Sequence, residues 1–318
     1  MDFSISRALG SGFSLLARRP LAPFAWSLAF VLVSVVPMAL MFAYVFSDMS
    51  AFFAGMQHMD PQAGIPPEML RLQSKMMMFN PVMFVTGLAG RALVVGAVYR
   101  SVLEPGDRRF FSLRVGMREL WLALALFLYS VMVALAMFGV LLGGAALGGL
   151  AWLITSFVPG SAAQLVLRIV LLGAVGVAAF VAWIWVAIRL SLGPVMSFAA
   201  SEFRFFESWN LTRGHALRLT GLYVVLSLIA FVIALILELV VVAILYARLG
   251  GFDRAHLQAF LPTGQVPDIL PVLSAMVPAF VLIFALIGPL CAIFMAPMAT
   301  VYRDLKGSAA LEYRLGAH

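Results

Sequence analysis

Six long apolar runs, at 21–46, 81–102, 120–157, 162–198, 219–246 and 271–301, decide most of what this chain can become. About 20 apolar residues suffice to cross a bilayer as a helix. No water meets the backbone inside lipid, so each crossing must bond its own N–H and C=O groups, as a helix does. Composition agrees. The chain is 64% hydrophobic and 11% charged, where soluble domains run near 45–50% and about 25%. The expected fold is an all-α polytopic membrane bundle of six transmembrane helices plus amphipathic interfacial helices, in one integral membrane domain over 1–318.

The third and fourth runs are too long for one crossing each. Run 120–157 would make a helix of about 57 Å against a hydrocarbon core of about 30 Å. Each is expected to be one span with a protruding or re-entrant end. Gly144 and Gly148 in the third run have the spacing that permits close helix contact. Pro37 falls inside the first span, where membrane helices tolerate it as a kink. The fourth run is expected to break at Gly193-Pro194.

The segments between the runs are short and basic. Residues 2–19 place Ser4, Arg7, Ser11, Ser14 and Arg18 on one helical face and Ile5, Leu9, Phe13 and Leu16 on another. That pattern predicts a helix in the headgroup plane rather than a cleavable signal. Residues 107–120 repeat it, with Phe110, Leu113, Met117 and Leu120 opposite Arg114 and Arg118. Residues 68–78 are expected to be a short helix in the first long loop, and Arg254–Phe260 another, capped by Asp253.

Six crossings put both termini on one side. That side carries 15 basic residues, the other only Arg71, Lys75, Arg248 and Arg254. The bias predicts cytoplasmic termini in a bacterial inner (cytoplasmic) membrane. The even spans end alike, in Val98-Tyr99-Arg100, Ala187-Ile188-Arg189 and Val301-Tyr302-Arg303. Three copies of one unit, an interfacial helix plus a transmembrane hairpin, are therefore expected at 3–106, 107–198 and 199–306.

Charge placement supplies the candidate sites. Arg91 lies mid-span in the second run, Glu238 in the fifth, and Arg168 toward the outer end of the fourth. An ionisable group at membrane depth costs several kcal/mol unless paired or hydrated. These three are candidates for an intramembrane polar site or a structural ion pair. Arg189, Arg204, Arg213 and Arg218, with Phe205, Phe206 and Trp209 among them, are candidates for a lipid-headgroup surface.

The formal charge of +7 fits anionic headgroups and topology, because no basic domain stands apart from the membrane. Nucleic-acid binding is not expected. The lone Cys291 excludes a disulfide framework or a paired-cysteine metal site. Met56, His58 and Met59 are soft ligands of the kind that suit Cu(I), but no second cluster reinforces them, so no metal or cofactor is expected. The histidines are scattered, and Ser208 and His215, about 10 Å apart along a helix, form no convincing dyad. The chain contains none of the GxSxG, HExxH or P-loop patterns.

The stretch Arg189-Leu190-Ser191-Leu192-Gly193-Pro194-Val195, with Glu207-Ser208-Trp209-Asn210-Leu211-Thr212-Arg213-Gly214 and Tyr302-Arg303-Asp304-Leu305, resembles a broad group of six-span bacterial inner-membrane proteins. That group includes the membrane domain fused to some glycerophosphodiester phosphodiesterases. The fused enzymes carry their chemistry in a separate soluble domain, for which this chain has no room. The resemblance therefore implies a stand-alone membrane module and transfers no catalytic residue. The expected function is non-enzymatic binding of anionic lipid, or of a membrane partner or second copy, through the basic cytoplasmic surface. The alternative is a transporter or lipid-translocating protein using Arg91 and Glu238.

Overall fold

A computed structural model describes residues 3–45, 67–107, 109–157, 160–249 and 269–316. Among them there are helices and turns and no strands. The chain forms α1 (Ile5–Arg18), α2 (Ala22–Val45), α3 (Pro67–Leu103) and α4 (Met117–Thr155). It continues through α5 (Ser161–Leu190), α6 (Gly193–Ala200), α7 (Glu207–Leu211), α8 (Ala216–Leu249) and α9 (Ile269–Gly316). Six stretches are long and apolar enough to cross a bilayer, within α2, α3, α4, α5–α6, α8 and α9. This is a multi-pass membrane protein.

Both long runs resolve simply. α4 is one unbroken helix of 39 residues, about 58 Å long, so its excess length protrudes and nothing re-enters. α5 ends at Leu190, and the helix resumes at Gly193 as α6. The short loop helix expected over 68–78 is instead the first turns of α3, which passes through Pro81 without ending. Met56, His58 and Met59, and the helix expected over Arg254–Phe260, lie outside the described residues.

The chain packs as two compact units. One comprises Ser6–Val115 and Val224–Pro297. Its core brings Leu15, Trp26, Val94, Val98, Ala292 and Ala296 together from α1, α2, α3 and α9. Apolar side chains gain little from leaving lipid for one another, so close approach and hydrogen bonds must hold such a core.

Proline creates the places where this happens. Pro289 has no N–H, so the carbonyl of Ala285, four residues earlier, loses its helical donor. The Ser27 hydroxyl of α2 donates to that carbonyl at 2.8 Å and accepts the Gly288 N–H at 2.8 Å. Gly288 is what lets α2 so close: a Cβ there would stand 1.8 Å from the Pro23 carbonyl oxygen. Pro297 likewise leaves the Ile293 carbonyl without its donor, and Gly12 of α1 lies on this turn. A Cβ at Gly12 would be 2.7 Å from the Ile293 Cα and 3.0 Å from its oxygen. α2 solves its own proline differently. A π-helical segment, Val31–Val35, precedes Pro37 and absorbs the interrupted ladder.

The expected α1 helix forms; Ala8, Gly12 and Leu15 are its buried residues within the protein, while Phe13 is exposed. One expectation fails outright, because residues 107–116 make no amphipathic helix. Phe110, Phe111 and Ser112 adopt left-handed backbone, with φ of 46°, 55° and 64°. Each such residue costs about 1–2 kcal/mol. Tertiary bonds offset it. Trp26 Nε1 donates to the Phe111 carbonyl at 2.8 Å, and Arg100 Nη1 donates to that of Ser112. Arg19 donates to the Pro105 carbonyl at 2.7 Å and to the Ser112 hydroxyl at 3.2 Å. Phe110 is left 84% exposed at the tip of the turn.

The other unit comprises Met1–Ile5, Gly116–Tyr223 and Met298–His318. Its largest feature is the antiparallel hairpin of α4 and α5. Side chains bond carbonyls across it: Trp183 Nε1 to Val133 at 3.1 Å and Tyr129 to Ala187 at 3.3 Å. Gly148 brings the helices close, 3.2 Å separating its virtual Cβ from Leu172. The expected role of the Gly144–Gly148 spacing is thus met at its second glycine.

Replacing Ser27 by Ala should lower unfolding stability by about 1–3 kcal/mol, because it strands a buried donor and acceptor together. Gly288→Ala should cost more, since the obstacle is backbone. Thermal unfolding in one detergent checks both, and a Gly288→Ala protein as stable as wild type would contradict the packing described.

Candidate functional site

The end of α5 begins a tight knot. Pro194 cannot donate to the Leu190 carbonyl, so the α5 ladder stops and α6 starts afresh. α6 ends at Ser201, which is left-handed with φ 58°. The Arg118 Nε donates to its hydroxyl at 2.9 Å and pins the reversal. The Arg204 N–H then donates to Ser197 Oγ at 3.3 Å. Phe205 is wholly buried and lies against Gly193, where a Cβ would meet the ring at 2.4 Å.

The chain now returns over the end of α5 as α7. Ser208 Oγ donates to the Arg189 carbonyl at 2.8 Å, and Thr212 Oγ1, which donates to the Ser208 carbonyl at 2.8 Å, lies 3.3 Å from the same Arg189 oxygen. The Ser208 hydroxyl replaces a donor that the broken helix no longer supplies. The two sequence stretches singled out above, 189–195 and 207–214, are thus two walls of one structure.

Arg189 sits between them. Trp185 precedes it by one helical turn, and Trp209 arrives on α7. The guanidinium carbon lies 4.7 Å from the Trp209 ring centre and 5.5 Å from that of Trp185. The two indoles meet edge to face at 5.0 Å. Arg189 is only 7% exposed, and its buried Nε has no hydrogen-bond partner. Among the described residues no carboxylate forms an ion pair with it.

The magnitudes leave a deficit. Taking a cation out of water costs several kcal/mol after relaxation. A cation–π contact returns about 2 kcal/mol when desolvated. Two indoles therefore recover part of the cost, and the N–H edge of the guanidinium remains unspent.

The neighbouring arginines differ. Arg204 is about half exposed and held by two carboxylates, Glu202 at 3.2 Å and Glu207 at 3.7 Å. Arg213 and Arg218 are exposed. The four arginines expected to share one surface are thus one buried cation, one paired with two carboxylates, and two that are exposed. Sequence reasoning grouped Trp209 with the arginines of a lipid-headgroup surface and did not connect Trp185 to Arg189. Their i, i+4 spacing was the signal available.

Arg168 finds partners within its own hairpin. Its Nε donates to Thr155 Oγ1 at 3.0 Å, its Nη2 to Ser156 Oγ at 3.3 Å, and its guanidinium stacks 3.7 Å from the Trp152 ring centre. It is a clasp at the turn joining α4 to α5. Arg91 is exposed on α3, beside Gly90, which is buried against Ser34 and Phe30. Glu238 is exposed on α8, and among the described residues no ion pair joins it to Arg91.

Ser208 and His215 do not share a helix. α7 ends at Leu211, and Gly214 turns the chain with φ 83°. The Ser208 hydroxyl is committed to Arg189, while the His215 ring lies edge-on to Phe3 at 6.5 Å. Among the described residues no three His, Cys, Asp or Glu side chains converge as metal ligands. A cleft of about 330 Å³ lies between α4 and α5, lined by apolar residues and by Gly144 and Gly176.

No family model, curated protein or solved structure matches this chain. The site must be read from its own geometry.

Gly193→Ala should drive a methyl into the Phe205 ring and loosen the knot, costing about 1–3 kcal/mol, as overpacking typically does. Limited proteolysis should then cut faster within 199–206 than in wild type. Unchanged cleavage would mean that Phe205 can leave Gly193 freely.

Proposed function

We propose that this protein is a non-enzymatic module of the bacterial inner membrane that binds anionic lipid through the basic, aromatic segment 189–218 on its cytoplasmic face. In this reading it is a relative of the membrane domain fused to some glycerophosphodiester phosphodiesterases. The observation that carries the reading is a net positive charge beside aromatic surface. Four arginines against two glutamates leave the segment at +2. Both glutamates pair with Arg204, and among the described residues no ion pair joins either of them to Arg189.

Phe206 is exposed and stands edge to face with the buried Phe205, 5.4 Å between ring centres. Rings so placed suit the boundary between headgroups and acyl chains. Each cation near an anionic membrane surface is worth about 1 kcal/mol, and salt screens the attraction. The same surface would serve an acidic membrane partner or a second copy of the chain.

The test is lipid enrichment in nanodiscs of mixed phosphatidylcholine and phosphatidylglycerol. Replacing Arg204, Arg213 and Arg218 together by Gln should lower phosphatidylglycerol enrichment around the protein by about fivefold or more at low salt. Unchanged enrichment in the triple variant would remove this surface as the binding face.

A further inference from the structure

We propose that Arg189 anchors a pocket for a single phosphate group, with Trp185 and Trp209 as its walls. The inference rests on the reading that segment 189–218 meets anionic lipid, and narrows it to one residue. Of the two arginines buried among the described residues, Arg100 spends Nη1 on the Ser112 carbonyl. Arg189 is also buried but has a buried Nε with no partner. Its local carboxylates, Glu202 and Glu207, are engaged with Arg204.

The cage also fixes what can approach. Indoles near the guanidinium, at 4.7 and 5.5 Å, leave its N–H edge as the route for an anion. A planar fork of N–H groups matches two oxygens of a phosphate, which an ammonium cannot do. Ser208 holds the Arg189 backbone through its carbonyl, and the two indole contacts hold the guanidinium itself before any ligand arrives. With 7% of the residue exposed, the pocket opens narrowly and admits one group. The shared chemistry is a phosphate oxyanion. Its source is a phospholipid headgroup or free inorganic phosphate, and the experiment separates them.

The full chain is placed in phosphatidylcholine nanodiscs containing a small fraction of phosphatidylglycerol, and retained lipid is counted by native mass spectrometry. Wild type should hold one phosphatidylglycerol that survives activation. Arg189→Gln should reduce that retention by about tenfold, the worth of a charged hydrogen bond. Arg213→Gln with Arg218→Gln should keep it. Displacement by inorganic phosphate would assign the pocket to the free anion, and resistance would assign it to the headgroup. Either result supports a phosphate site.

A folded Arg189→Gln protein with wild-type retention overturns the pocket. Should the Gln variant fail to fold, Arg189→Lys keeps the charge and stem but not the fork. Its retention should fall about threefold, and unchanged retention overturns the pocket equally. The triple variant separates the two readings. Loss there with retention unaltered in Arg189→Gln sinks the pocket and keeps the surface. The reverse keeps the pocket and sinks the surface.

Discussion

A carbonyl that loses its helical donor inside a membrane has no water to turn to, and this structure is organised around replacing such donors. Ala285 loses its donor to Pro289 and is served by Ser27. Arg189, at the broken end of α5, is served by Ser208. Ser112 and Phe111, in a turn with left-handed backbone, are served by Arg100 and Trp26. Each repair joins residues distant in sequence, so backbone satisfaction supplies tertiary contacts where lipid removes most of the hydrophobic drive.

Glycine makes those repairs sterically feasible. Gly288 allows the α2 backbone against α9, Gly12 allows α1 onto the turn before Pro297, and Gly193 makes room for Phe205. In all three the obstacle to a larger side chain is backbone or a buried ring. The polar bond and the small residue form one device, since neither distance could be reached without the other.

The two arginine-rich turns use this device to different ends. In the turn that carries Phe111 and Ser112, guanidinium groups are consumed by carbonyls and a hydroxyl, and the result is a strained corner held by side-chain bonds. At 189–212 the hydroxyl of Ser208 takes over the backbone repair, which leaves the Arg189 guanidinium unneeded for it. An arginine released from structural duty and held between indoles is the arrangement that gives this end of α5 its functional interest.

The sequence by itself determined the six apolar helices, because run length and composition suffice to demand a helix in lipid. It also located the break at Gly193-Pro194, since proline chemistry is local. It could not foresee that 107–116 would abandon a plausible amphipathic helix. That choice belongs to Trp26 and Arg100, which lie in other helices and claim the carbonyls a helix would use. Nor could it separate Arg189 from Arg204, Arg213 and Arg218. All four read alike as basic residues at a membrane edge. The pairing of Arg204 with Glu202 and Glu207 is local, but only the return of α7 over the end of α5 buries Arg189 beside Trp209, because desolvation is set by distance in space, which residue spacing does not record.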